Sequence, residues 1–506
     1  LRTFESNVEP AVLEGRGKWS LRFCRIDHEV STGGLFRELF AASGDAFWLD
    51  SSLVDEGLSR FSFLGDGGGP YGEALTYYVA TGTVEVRKGS GPATLITGSI
   101  FDALQERLAA RALAPDPQMP FDLTCGYVGY LGYECKADCG SPNRHVSSTP
   151  DAIWIAATRI AVVDHLQKST WLLALCGSDC DGVNAAERWL ADAQTRVRSL
   201  PTHQQPANGR ISGKVEFDPE PWLVRPRGTY IADIERCREQ LCAGESYEIC
   251  LTNTIELAFS DDPLELYLRQ RQTNPAPYAA YLRLGGLDVL CSSPERFLKV
   301  TQDRTVESKP IKGTAPRHAD PTADLAARDE LATSTKNQAE NLMIVDLLRN
   351  DLGRVCEVGT VSVPRLMVVE SYATVHQLVS TVRGRLREDT STVAAVRACF
   401  PGGSMTGAPK LRTMEIIDAI ETRARGIYSG VIGYFGLSGA ADLNIVIRTI
   451  VLEGGRLTVG AGGAIVLDSD PDEEFEEMLL KARAPLRALS YRTSEDRRSI
   501  DAAASP

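Results

Sequence analysis

The chain contains no Cys-x-x-Cys pair and no histidine at zinc-finger spacing, and it has only 6 histidines in 506 residues. That excludes the common small zinc modules. No apolar run reaches transmembrane length and no signal peptide is visible, so neither a membrane span nor a secreted product is expected. Positive charge is not in excess: 54 Lys and Arg face 67 Asp and Glu, for a formal net charge of −13. Nucleic acid and anionic membrane both call for a basic face and are excluded as main partners. A small anionic substrate is not excluded, because a local cluster of Arg, Lys or metal can reverse the field inside a cleft. There is no internal repeat and no regular βαβ rhythm.

What is present fits a large globular protein. Hydrophobic residues make up 43 % and charged residues 24 %, enough for a sizeable core. The 12 cysteines, including the Cys135/Cys139 and Cys176/Cys180 pairs, read as reduced thiols of a cytoplasmic protein. Residues 1–18 are polar and read as a linker or extension. From 19 to 200, short strand-like runs alternate with Gly- and Asp-rich turns, with amphipathic helices expected near 33–43, 98–113 and 183–199. Residues 201–220, rich in Pro, Gln, Asn and Gly, read as the internal linker. A denser segment, 221–490, precedes a tail at 491–506. Strand and helix signals mix as in an α+β fold. The chain begins at Leu1, which suggests a piece of a longer polypeptide.

Five constellations could carry chemistry. In Pro310-Ile-Lys-Gly-Thr314, Lys312 stands between a rigid proline and a glycine, where burial could make it a nucleophile or base. Glu474, Glu477 and Lys481 share one helical face, either as a solvated ion-paired face or as ligands beside the glycine cluster Val459–Ile465. Glu340 stands one turn before the apolar stripe Met343, Ile344, Leu347 and Leu348. It reads either as a helix-dipole partner or, with Glu477, as a carboxylate ligand to a hard cation. Arg448, in the apolar run after Asp442, needs an anionic partner from the core or from a substrate. Glu295 ends the apolar strand Leu287–Cys291 and reads as a surface turn residue or as a general acid of raised pKa. The loop Phe400–Lys410 lacks Walker spacing and is no nucleotide P-loop, though its Gly, Ser and Thr could receive an anion at a helix start.

Together these segments resemble the chorismate-utilising enzymes, strongly over about 225–490 and more loosely through Gly126–Glu134 and Trp48–Ser51. The resemblance implies an α+β fold in which antiparallel sheets pack as a sandwich with flanking helices. The Pro-Ile-Lys-Gly-Thr segment is similar to that of the branch forming aminodeoxychorismate, where anthranilate-forming relatives carry alanine for Lys312. Glu248, in Glu245–Thr252, stands where water-adding relatives place a lysine base. By resemblance, Glu340 and Glu477 hold Mg²⁺ with Glu474 behind them. Tyr428, Arg448, Gly462, Gly463 and Lys481, with Thr314 and Thr406, contact the substrate. Glu295 is the acid at C4, Lys312 attacks C2, and His376 is the site histidine. Asn337 departs from relatives that carry glutamate there.

The implied activity is Mg²⁺-dependent amination of chorismate at C4 by ammonia from a glutamine amidotransferase subunit or a domain fused upstream, for p-aminobenzoate and folate or for a secondary metabolite such as an antibiotic. A free lysine has a pKa of about 10.4, and burial beside Mg²⁺ is expected to lower that of Lys312. Asp50 and Ser51, with Asn274, Pro275 and Tyr278, resemble segments that enclose tryptophan in relatives. The rival readings are an anthranilate synthase component and an inactive amino-acid-binding regulator of the same fold. Lys312 opposes the first; the joint presence of Glu295, Lys312, Glu340, Arg448, Glu477 and Lys481 opposes the second.

Overall fold

The computed structural model describes residues 11–14, 18–54, 59–201, 217–372 and 375–490. The linker read at 201–220 falls mostly, and the tail at 491–506 wholly, outside these residues. Within the stretch read as a linker at 1–18, Ala11–Glu14 is instead a strand, paired antiparallel with Trp19–Ile26. The amphipathic segments form the helices Thr32–Leu39, Ile100–Ala110 and Cys180–Arg198. Each starts on a side-chain cap, from Ser31, Ser99 and Asp179 respectively.

Two antiparallel sheets of 12 strands each dominate the described residues. They pack face to face, and the layer between them is apolar. Strand periodicity shows why. In Arg159–Asp164, Ile160 and Val162 point into the inter-sheet core, while Ala161 and Val163 point to the outer face. That outer face is itself covered by helices, among them Thr32–Leu39, Cys180–Arg198, Arg227–Cys242 and Pro471–Leu486. The second sheet's outer face is covered by Ile100–Ala110, Thr335–Gly353 and Thr392–Cys399. Strands buried on both faces read as continuous apolar runs rather than as alternating ones.

The halves before and after 202–216 each give a contiguous block of strands to both sheets. Ala46–Asp50 joins Tyr278–Leu284 in the first sheet, and Gly126–Leu131 joins Val431–Gly436 in the second. Twice in the second half the chain passes from one sheet to the other without a turn. Leu287–Ser293 lies in the first sheet and Arg296–Val300 in the second. Ala441–Ile445 lies in the second and Thr449–Glu453 in the first. The two crossovers run side by side, tied by Ser292 N–H to the Arg448 carbonyl (3.2 Å) and Ile445 N–H to the Glu295 carbonyl (3.0 Å).

Candidate functional site

These crossovers place Glu295 and Arg448 at the seam of the sandwich. Glu295 is buried, not a surface turn residue, and accepts a hydrogen bond from Ser404 Oγ at 2.8 Å. Burial pushes its carboxyl up to about 7, against the opposing Ser404 hydrogen bond and the charges of Lys312 and Lys481. Arg448 lies in the apolar run that continues the strand Ala441–Ile445. That strand ends at Ile445, and Arg448 adopts a left-handed backbone, φ +52°. Its guanidinium makes no salt bridge among the described residues; burial and nearby Arg487 lower its pKa. The core carboxylate that would have made it a structural pair is absent from the described residues.

Lys312 lies in the strand Ile311–Pro316, which pairs with Val375–Arg385 through a register shift between Ile311 and Thr314. Gly313 takes φ +89° at that bulge, and a Cβ there would lie 2.8 Å from Asn337 Cγ. The lysine side chain, 11 % exposed, donates to Glu248 Oε1 at 2.8 Å, with Glu340 Oε2 at 3.7 Å. The pKa of Lys312 is not lowered, contrary to what burial beside a cation would produce. Burial lowers it, but the carboxylates of Glu248 and Glu340 outweigh burial and raise it above the ordinary lysine value. Glu248 opens the strand Glu248–Ala258 and is fully buried; its Oε2 has no hydrogen-bond partner among the described residues.

The candidate metal ligands come from two helices, Thr335–Gly353 and Pro471–Leu486. Each is held by a lysine: Glu477 by Lys481 (2.8 Å), Glu474 by Lys336 (3.2 Å) and Glu340 by Lys312. Ser469 Oγ also donates to Glu474. Burial raises the pKa of Glu340, and Glu248 and Glu477 raise it further. Among the described residues no three His, Cys, Asp or Glu side chains already converge as a metal cluster. The donor set nonetheless fits a hard divalent ion, being all oxygen, with two carboxylates whose repulsion a cation would relieve.

Lys481 also donates to the Gly462 carbonyl at 3.0 Å, and a Cβ on Gly463 would stand 3.2 Å from Glu474 Oε2. A Cβ on Gly460 would meet the Tyr428 ring at 2.2 Å, so the glycine run is what lets Tyr428 and the helix carrying Glu474 close on the strand Arg456–Ile465. Thr406 is buried, its hydroxyl turned to the carbonyls of Gly402 and Gly403, while Thr314 is exposed. The loop expected to receive an anion instead folds Lys410 back onto Asp351 (2.5 Å) and the Cys399 and Pro401 carbonyls. Both ring nitrogens of His376 are taken, by Ser371 Oγ at 2.7 Å and Asp324 Oδ1 at 3.1 Å, which describes a hydrogen-bonded core residue beside Lys312's strand.

Asp50, Ser51 and Tyr278 line a separate cavity of about 270 Å³ where the two halves meet between the sheets; Asn274 and Pro275 are not part of its lining. Asp50 is already bonded to Arg271 at 2.5 Å.

Sequence reasoning missed Ser404 as the partner of Glu295, though it had singled out that loop. It also missed Arg425, buried, which donates to Glu421 and to the carbonyls of Met405 and Cys250. Arg425 thereby ties the 400–410 loop to the strand that bears Glu248; nothing in its polar neighbourhood signals this.

A profile for chorismate binding enzymes matches residues 70–487. Similar chains include an aminodeoxychorismate synthase of Streptomyces pristinaespiralis, 52 % identical over 94 % of this chain and 66 % of that one. A chloroplastic aminodeoxychorismate synthase of Arabidopsis thaliana is 43 % identical over 96 % of this chain and 55 % of its own. The chain thus spans between half and two-thirds of the length of these relatives. Among solved structures, anthranilate synthase component I from Streptococcus pneumoniae superposes with a TM-score of 0.71 at 26 % identity, covering 86 % of this chain and 93 % of that one.

Proposed function

The chain belongs to the chorismate binding enzyme family, and on that premise we propose that it aminates chorismate at C4 to 4-amino-4-deoxychorismate, using ammonia from a glutaminase partner and Mg²⁺ at Glu340 and Glu477. The observation that carries this reading is a buried Lys312, 2.8 Å from Glu248 and near enough to the buried acid Glu295 for its charge to act on that carboxyl. The names of the aminodeoxychorismate synthases it resembles support it over anthranilate formation.

The residues divide the work. Chorismate is a dianion whose C4 hydroxide leaves poorly. Arg448, unpaired with any described carboxylate, and Lys481 would take the enolpyruvyl carboxylate, with Tyr428 packed beside them. Bound Mg²⁺ would neutralise the ring carboxylate. Glu295, its carboxyl raised to about 7, would protonate the departing C4 oxygen. Lys312, after passing a proton to the Glu248 carboxylate 2.8 Å away, would bond through its free lone pair to C2 as the C4–O bond breaks and water leaves. Ammonia would then take C4 and expel the lysine.

The test is chorismate with ammonium salt and Mg²⁺, with the product identified by mass spectrometry, for the native chain and for Lys312→Ala. Aminodeoxychorismate from the native chain and its loss in the variant are expected. Undiminished product from Lys312→Ala removes the nucleophile role, and anthranilate from the native chain overturns the reading. Omitting Mg²⁺ should abolish turnover.

A further inference from the structure

Arg425 is a buried cation, its side chain 3 % exposed. A guanidinium carries five N–H donors, and here each one is taken. Nε donates to Glu421 Oε2 at 2.8 Å. Nη2 donates to Glu421 Oε1 at 2.8 Å and to the Cys250 carbonyl at 2.7 Å. Nη1 donates to the Met405 carbonyl at 2.6 Å and to Ser429 Oγ at 3.4 Å. The group also lies 4.5 Å over the Tyr133 ring, and the neighbouring Glu134 carboxylate accepts the backbone N–H groups of Arg425 (2.8 Å) and Gly426 (2.9 Å). With no donor left over, Arg425 has nothing to offer a substrate. What it does is fix the segments around it. Gly403–Met405 is a single short turn, so its place depends on ties from outside. Lys410 holds one side of it, at the Cys399 and Pro401 carbonyls. Arg425 holds the other at Met405, the residue after Ser404, whose hydroxyl donates to Glu295 at 2.8 Å.

We propose that Arg425 is a positioning residue for the acid: by holding the Met405 carbonyl it keeps the Ser404 hydroxyl aimed at the Glu295 carboxylate. The inference rests on the amination reading for the task of Glu295, the acid at C4. A hydroxyl that donates to a carboxylate favours its charged form, so the Ser404 bond opposes the burial that raises the Glu295 pKa. The other groups acting on that carboxyl are the charges of Lys312 and Lys481, and among the described residues Arg425 bonds neither. Ser404 is therefore the route by which Arg425 reaches the acid. A lysine could not replace it. Three donors on one tetrahedral head cannot serve both Glu421 oxygens and two carbonyls on different segments.

An infrared titration tests it without substrate. The protonated-carboxyl band of Glu295 is the one lost in Glu295→Gln, and its pH midpoint in the native chain is expected near 7. Ser404→Ala should raise that midpoint by about 0.5–1 unit, the worth of one hydrogen bond. Arg425→Lys, which keeps the charge, should raise it by a similar amount. The double variant Arg425→Lys/Ser404→Ala should go no higher than Ser404→Ala alone, because the two act in series. A native midpoint in Arg425→Lys or in Ser404→Ala overturns the proposal, as do shifts that add. A purely structural arginine would lower the melting temperature and leave the midpoint in place. Should Arg425→Lys not fold, Glu421→Gln loosens the guanidinium without deleting it: the same upward shift is expected, and none overturns the proposal. Because the titration needs no turnover, failure of the native chain to aminate chorismate would sink the amination reading while the role of Arg425 is still judged. Where amination holds, the alkaline limb of the pH–kcat profile should move up with the infrared midpoint; a limb left near its native pH in Arg425→Lys overturns the proposal.

Discussion

At the scale of single residues, burial separates Glu295 and Lys312 from the ordinary glutamates and lysines of the surface. Glu295 titrates near pH 7, about half protonated there, because burial penalises its charge more than Ser404 and the nearby lysines reward it. As a general acid it works only when protonated, so turnover should fall as pH rises through about 7. At one unit below, about nine-tenths of it is protonated, and at one unit above, about one-tenth. A pH–kcat profile checks this: the native chain should lose activity on the alkaline side with a midpoint near 7. Glu295→Gln should be slower by about 10²–10⁴-fold and lack that limb. A variant retaining the same alkaline limb would assign it to another group. Glu295 and Lys312 could be singled out because each stands in a distinctive local pattern, the end of an apolar strand and a Pro-Ile-Lys-Gly-Thr segment. The direction of the Lys312 shift was not, since the two carboxylates that set it lie far away in sequence.

The bulge in Ile311–Pro316 is where an element rather than a residue sets the chemistry. The chain must gain a residue against Val375–Arg385 between Ile311 and Thr314, and Gly313 absorbs this with a left-handed backbone. Gly313→Ala would place a methyl group 2.9 Å from Leu331 Cδ1 as well as against Asn337, at a φ alanine resists. The expected result is a destabilisation of about 1–3 kcal/mol by denaturant melts, with a loss of kcat larger than the folded fraction explains, because the bulge aims Lys312 at Glu248. Equal losses of kcat and folded fraction would show that the bulge only stabilises. The neighbouring helix Thr335–Gly353 was legible from its apolar stripe Met343, Ile344, Leu347 and Leu348. The crossover at Arg448 was not, because a chain moving between two buried sheets stays apolar and shows no turn residues where it changes layer.

The whole molecule is held together by ladders that cross its midpoint. Removing the first half would strip partners from Tyr278–Leu284 and Val431–Gly436, and removing the second would strip them from Ala46–Asp50 and Gly126–Leu131, in each case exposing central, apolar strand edges. Residues 217–490 expressed alone are therefore expected to aggregate or to lack a cooperative melt, whereas the full chain should unfold in one transition by calorimetry. A soluble, cooperatively folding 217–490 that consumes chorismate would show that the second half stands alone.

The sequence by itself determined the α+β class and the helices near 33–43, 98–113 and 183–199, and it singled out the side chains proposed to carry chemistry. Those depend on local patterns: apolar spacing, caps, and a lysine beside a glycine. Only the tertiary structure decided that Lys312 sits on Glu248, that Ser404 bonds Glu295, that Arg448 lacks a described carboxylate, and that His376 is fully hydrogen-bonded. Each of these is a contact, or the absence of one, between segments joined only by the packing of two sheets. The spacing of residues along one strand or helix carries no record of what the neighbouring layer brings opposite it.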